Sequence, residues 1–146
     1  MSLSGQYDDG NIFAKMIRGE APCAKVYEDA ATMAFLDLFP QSRGHTLVIS
    51  KTAKARNLLD ASPEDLAAIM ATVRKVAVAL NAALAPDGLV VTQFNGAVAG
   101  QTVFHLHFHL IPRWELIPLA GHGGAKMADP TELAALAKTI GAAIGP

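Results

Sequence analysis

Three of the five histidines in this 146-residue chain fall inside the run FHLHFHL, at positions 105, 107 and 109. On an extended strand, residues i, i+2 and i+4 point to one side. His105, His107 and His109 would then share a face, and Phe104, Leu106, Phe108 and Leu110 the opposite one. The apolar side can pack under helices and so hold the imidazoles on a rigid element. A merely polar sheet face is the plain alternative, but histidine is not a favoured strand-surface residue and this spacing supplies a mechanism. Two chemistries fit it. Neutral imidazole is a common zinc ligand, and His-x-His on a strand can chelate. Alternatively, one imidazole is a nucleophile while its neighbours orient it and bind an anion. Uncharged imidazole is not repelled by a phosphate as a carboxylate would be. A phospho-imidazole is labile to water, and neighbouring imidazoles stabilise charge on phosphoryl oxygens.

The flanking residues lean toward the anion. The segment NGAVAGQT, residues 95–102, runs straight into the histidines. Its glycines, Gly100 among them, let backbone N–H groups approach a phosphate. Gln101 and Thr102 add neutral donors, and no Asp or Glu lies between Asp87 and Glu115 to complete a local metal set.

Several elements must position these residues. Residues 11–18, NIFAKMIR, pair Ile12 with Met16 and Phe13 with Ile17 at i,i+4 and stop at Gly19, which predicts a short helix. AKVYED and TMAFLD read as two strands around a turn near Asp29 and Ala30, and HTLVIS as a third. Ser62, Pro63 and the acids after them start a long helix with an apolar face of Leu66, Ile69, Met70, Val73, Val76, Ala77, Leu80 and Leu84. LVVTQF predicts a fourth strand and TVFHLHFHLI a fifth, ended by Pro112. Asp129 and Pro130 start a last helix. The expected class is α+β: a five-stranded antiparallel sheet, one long helix and short terminal helices. Residues 1–10 are expected to be a flexible leader and residues 11–146 a single domain.

Composition narrows the function. A net charge of −1 favours neither nucleic acid nor an anionic membrane as partner. No uninterrupted apolar run approaches the roughly 20 residues of a membrane span. The single cysteine, Cys23, excludes an internal disulfide framework and fits a cytoplasmic location.

Together these residues resemble the histidine triad (HIT) family of nucleotide-binding proteins. HLHFHLI has that family's His-apolar-His-apolar-His-apolar-apolar form. NIFAKMIRGEAPCAKVYED resembles its opening helix and first strand, AFLDLFPQSRGHTLVISK its ribose-binding turn, and NGAVAGQTVFHLHFHLIPR its phosphate loop and catalytic strand. The chain is most similar to small bacterial members near the phosphoramidase branch. The resemblance implies a homodimer whose sheets extend across the pair. It implies attack by His107 at the α-phosphate of a purine nucleoside 5′-phosphate derivative, an adenosine 5′-phosphoramidate or, alternatively, a dinucleoside polyphosphate. A covalent histidine–nucleotidyl intermediate follows, with no cofactor. His109 would lie near the phosphate, His105 would support the network, and His45 would help polarise the nucleophile. Asp37 would accept the ribose hydroxyls. Gln101 and Thr102 would contact phosphate and leaving group, Asn95 would add a polar contact, and Ile12, Phe13 and Ile17 would wall the base. Competing readings are a binding protein without turnover and a cupin-like metalloenzyme with His105 and His107 as ligands. Three departures stand out. Asn11 and Ala14 occupy the positions of a zinc-binding Cys-x-x-Cys, Phe94 replaces a frequent polar residue, and His122 lies in a glycine-rich loop beyond Trp114, expected at most at the edge of the substrate.

Overall fold

The computed structural model describes residues 3–122 and 125–145. Helix α1 (Ile12–Ile17) is followed by strands β1 (Lys25–Glu28), β2 (Thr32–Leu36) and β3 (Thr46–Ser50). Helix α2 (Pro63–Leu84), strands β4 (Gly88–Thr92) and β5 (His107–Arg113), and helix α3 (Pro130–Ala142) complete the chain. All pairings are antiparallel, in the order β1-β2-β3-β5-β4. The open five-stranded sheet with one long helix and short helices agrees with the class read from the sequence.

Local chemistry accounts for the helix ends. The Asn11 side chain accepts from the Ala14 N–H at the start of α1. The Ser62 hydroxyl accepts from the Asp65 N–H, with Pro63 in the first turn, where a missing N–H costs nothing. The Asp129 carboxylate caps α3. A left-handed residue, Ala85, ends α2.

The sheet buries both faces. One face packs against α2 and α3 through Ala34, Leu36, Val48, Leu110, Ile69, Val73, Val76, Leu80 and Ile140. The other carries a smaller cluster of Phe13, Met33, Phe35, Leu47 and Ile49. Helix α2 is long and apolar enough, by length and composition, to cross a membrane, although no uninterrupted apolar run reaches that length. In the fold its inner stripe is core, while Met70, expected on that stripe, is 46% exposed. Thr72 takes a buried place instead and hydrogen-bonds Thr32 at 2.6 Å.

Two details depart from the sequence reading. Pro112 does not end β5; it pairs with Leu89 inside the β4 ladder. The β3 ladder has already stopped at Leu110, so the absent N–H breaks no bond on that side, and Ser42 Oγ donates to the Pro112 carbonyl. The strand also begins later than expected. His105 precedes it, and Phe104 lies under the Arg56 guanidinium, 4.7 Å from ring centre to cation, rather than under the helices.

Residues 3–10, expected as a flexible leader, lie against the domain. Asn57 donates to the Leu3 carbonyl, Arg56 to that of Gln6, and Lys54 pairs with Asp9.

Candidate active site

Strand pairing sets the site. Leu47 lies opposite His109 and Ile49 opposite His107, so both imidazoles emerge on the face of the smaller core, beside Phe13. Phe108 and Leu110 turn to the helices, as alternation requires. His45 stands just before β3, and its ring reaches His109 across a gap of 64 residues. The one-face reading of the three histidines therefore holds for His107 and His109. His105 is oriented by other contacts, because it stands outside the ladder.

Backbone groups determine the tautomers. A peptide N–H can only donate and a carbonyl can only accept. The Gln41 N–H donates to His45 Nδ1 at 3.0 Å, so the proton of neutral His45 is on Nε2. That Nε2–H faces His109 Nδ1 at 3.0 Å, which leaves the His109 proton on Nε2. His109 Nε2 is buried without a hydrogen-bond partner among the described residues. In the same way, His107 Nδ1 lies 2.7 Å from the His105 carbonyl and must carry the proton, so Nε2 holds the lone pair. The site thus offers a lone pair on His107 and an unpaired N–H on His109, with ring centres 4.9 Å apart.

Burial keeps these rings neutral. His45, His105, His107 and His109 are 1%, 2%, 6% and 3% exposed. Desolvation lowers His45 and His107 to about 4 and His109 to about 3, with further lowering from neighbouring imidazoles. His105 is lowered by the same cause. Burial also raises Asp37.

All of these groups except His105 border a cavity of about 730 Å³. His107, His109, His45, Asp37 and Thr102 line it, with Ile12 and Phe13 on one side and Leu38, Phe39 and Met127 among its other apolar walls. A second hollow, of about 440 Å³, lies between residues 40–45 and α3, is mostly apolar and holds none of the triad.

Five expected residues stand away from that wall, His105 among them. Ile17 packs beside the smaller core. Gln101 builds the loop: its Nε2 donates to the Arg56 and Val103 carbonyls and its Oε1 accepts from the Gly96 N–H. Asn95 is occupied with the Leu58 N–H and the Gln93 side chain. Gly100 adopts φ +113°, where a side chain would be strained, and its carbonyl accepts from His122 Nε2 at 2.7 Å. Asp37 Oδ1 accepts from the Phe39 N–H, and its Oδ2 lies 3.6 Å from His45 Nε2.

His122 enters more fully than its sequence position suggested. It lines the cavity, and its ring stands 5.7 Å from His109 and 5.0 Å from Phe94. Phe94 packs against both rings, which gives an aromatic a place there. Gln41 and Tyr7 were also missed as ring partners, since each contact joins segments whose meeting no local pattern announces.

The comparisons agree with this architecture. The family model described as HIT domain matches residues 18–116. An adenosine 5′-monophosphoramidase of Schizosaccharomyces pombe is 43% identical over 102 residues, 70% of this chain and 73% of that protein. An adenylylsulfatase of Arabidopsis thaliana is 41% identical over 104 residues, 71% of this chain and 52% of that one. The crystal structure of a Hit-like protein from Bartonella henselae superposes with a TM-score of 0.89 at 48% identity, covering 95% of this chain and 99% of that one. The chain belongs to the histidine triad family.

Proposed function

We propose that this protein is a nucleotidyl hydrolase or transferase acting on an adenosine 5′-phosphoramidate or a similar purine nucleoside 5′-phosphate derivative. The observation that carries the reading is the pair of tautomers: a lone pair on His107 Nε2 beside an unpaired His109 Nε2–H. His107 Nε2 attacks phosphorus as the P–N bond of the leaving amine breaks. The amine departs with that electron pair and takes up a proton. His107, now bonded to phosphorus and positively charged, keeps its Nδ1–H on the His105 carbonyl. The His109 Nε2–H donates to a phosphoryl oxygen, where charge develops. Water then attacks phosphorus, the N–P bond breaks, His107 recovers its lone pair, and a water proton is released with the nucleoside monophosphate. In this scheme His45 acts on His109 rather than polarising the nucleophile, because the 3.0 Å contact is to His109.

The walls fit the rest of such a substrate. Ile12, Phe13, Leu38 and Phe39 offer an apolar slot for a base, and Asp37 borders the same cavity as an acceptor for ribose hydroxyls. Thr102 stands at the phosphate, while Gly100, Gln101 and Asn95 serve it by shaping the loop. That the Schizosaccharomyces pombe relative is an adenosine 5′-monophosphoramidase supports the amine leaving group.

Turnover of adenosine 5′-phosphoramidate with purified protein tests the reading, with and without EDTA. Release of AMP that survives EDTA is the expected result; AMP binding without release would favour a binding protein. A metal-dependent reading has one specific observation behind it: one ligand atom each from Asp37, His45 and His109 lie within 4.8 Å of one another. Stoichiometric zinc with EDTA-sensitive turnover would favour it.

Removal of the Asp37 carboxylate by Asp37→Ala is expected to weaken ribonucleotide binding by about 1–3 kcal/mol. The variant should also lose most of the preference for ribo over 2′-deoxy substrates. Calorimetric titration checks both, and an undiminished ribose preference would leave Asp37 only the turn at Phe39.

The edge strand β4 leaves Val90 and Val91 37% and 46% exposed, and pairing it with a second copy would remove that liability. A symmetric dimer is therefore expected from light scattering at micromolar concentration, and a monomer mass would count against it. The free thiol of Cys23 suits a reducing compartment such as the cytoplasm.

A further inference from the structure

The His105 carbonyl holds the proton of His107, yet the ladder of β5 begins only at His107. No cross-strand pair therefore fixes the peptide that carries this acceptor. Three other bonds hold it. The Leu106 N–H donates to the Ala55 carbonyl at 2.9 Å. The His105 ring is gripped at both nitrogens, Nε2 against the Ser50 carbonyl at 3.0 Å and Nδ1 against the Tyr7 hydroxyl at 2.6 Å. A carbonyl cannot donate, so Nε2 carries the proton and the Tyr7 O–H donates to the Nδ1 lone pair. The Tyr7 and His105 rings meet edge to face, 5.6 Å apart.

Tyr7 sits on a segment tied down at several points. Lys54, Arg56 and Asn57, all just after β3, bond to Asp9, Gln6 and Leu3, and the Arg18 guanidinium donates to the Asp9 carbonyl. The same stretch offers the carbonyls of Ala55 and Arg56 to Leu106 and Gln101. The N-terminal residues, the phosphate loop and the first triad histidine thus share one support.

We propose that Tyr7 is a positioning residue of the active site: its hydroxyl, donating to His105 Nδ1, fixes the orientation of a ring whose Nε2–H tautomer the Ser50 carbonyl sets, and so keeps the His105 carbonyl on His107 Nδ1. The kinetic half of this inference rests on His107 being the nucleophile; the orientation half does not. Without the hydroxyl, His105 Nδ1 is left unpaired in a buried place, and only the Ser50 and Ala55 bonds remain to hold the ring and its carbonyl. Misorientation of His107 lowers kcat without removing any contact to the substrate.

The test is Tyr7→Phe, which keeps the ring and removes only the O–H. Long-range nitrogen–proton NMR should show His105 as the Nε2–H tautomer in both proteins, with its Nδ1 resonance moved downfield and the His107 Nδ1–H exchanging with water faster in the variant. With adenosine 5′-phosphoramidate, kcat should fall about tenfold while KM and AMP affinity stay within about twofold. Lys54→Ala, which loosens the segment's ion pair but leaves Tyr7 intact, should retain the original kcat. A His105 spectrum unaltered by Tyr7→Phe overturns the proposal, as does an equal loss of kcat in Lys54→Ala. Unchanged kcat in Tyr7→Phe with an active parent overturns it too. If the unaltered protein does not turn over the phosphoramidate, the proposed function fails, and the His105 spectra alone decide for or against Tyr7.

Discussion

Replacing His107 with asparagine is expected to cut turnover by several orders of magnitude while changing AMP affinity far less. The asparagine amide is close to imidazole in size and can still donate to the His105 carbonyl, as His107 Nδ1 does at 2.7 Å. It has no lone pair able to form a bond to phosphorus and leave again, so the covalent route closes while the cavity survives. His105→Asn and His109→Asn should cost less. His109 acts by donating its Nε2–H, and His105 acts through the carbonyl that its backbone retains. Mass spectrometry of the unaltered protein, quenched without acid, should find a nucleotidyl adduct on His107. Near-normal turnover in His107→Asn, or an adduct on His105 or His109, would show that the roles are misassigned.

Folding stability should drop by several kcal/mol between pH 7 and pH 4, as the histidine cluster is forced to take up protons. In the unfolded chain each imidazole titrates near 6.5. In the folded protein burial holds His45 and His107 at about 4 and His109 at about 3, and lowers His105 as well. Below pH 6.5 the unfolded chain therefore binds protons that the folded one refuses, so stability rises with pH through that window and is fully present above it. Asp37 works the other way, since burial raises its carboxyl and lets the folded state hold that proton to higher pH. One carboxyl against four imidazoles offsets only part of the loss. Calorimetry from pH 7.5 to 4.5 should show a falling Tm, and His45→Gln, with one such group fewer, a shallower slope. A level Tm across pH 7 to 5 would mean that the imidazoles are not held neutral by burial. Turnover has a separate expectation: with His107 ionising at about 4, its acid limb should lie well below pH 6.

Alternation alone placed His107 and His109 on the face opposite Phe108 and Leu110, because the side-chain period of a strand is 2 wherever the strand sits. The caps at Ser62 and Asp129 were equally legible, since each bond spans three residues or fewer, whereas Asn11, read as part of the first helix, proves to be its cap. Local pattern also marked the glycine-bearing loop before the triad, and Gly96 and Gly100 do adopt positive φ there. Pattern did not reveal where the β5 ladder would start, because that depends on how far β3 extends beside it, and so His105 was drawn onto the strand. Ile17 shared the spacing of Phe13 yet packs away from the cavity, since i,i+4 spacing defines a helix face but not which neighbour covers each end. The bonds from Gln41 to His45, from His45 to His109 and from Tyr7 to His105 were beyond any reading of the chain. The last two join residues 64 and 98 positions apart, and the first depends on a turn that fits only its own loop. The sequence by itself determined which imidazoles the protein would hold rigid and on what element; tertiary structure decided which nitrogen of each carries the proton, because tautomers follow from backbone donors and acceptors that only folding brings within 3 Å.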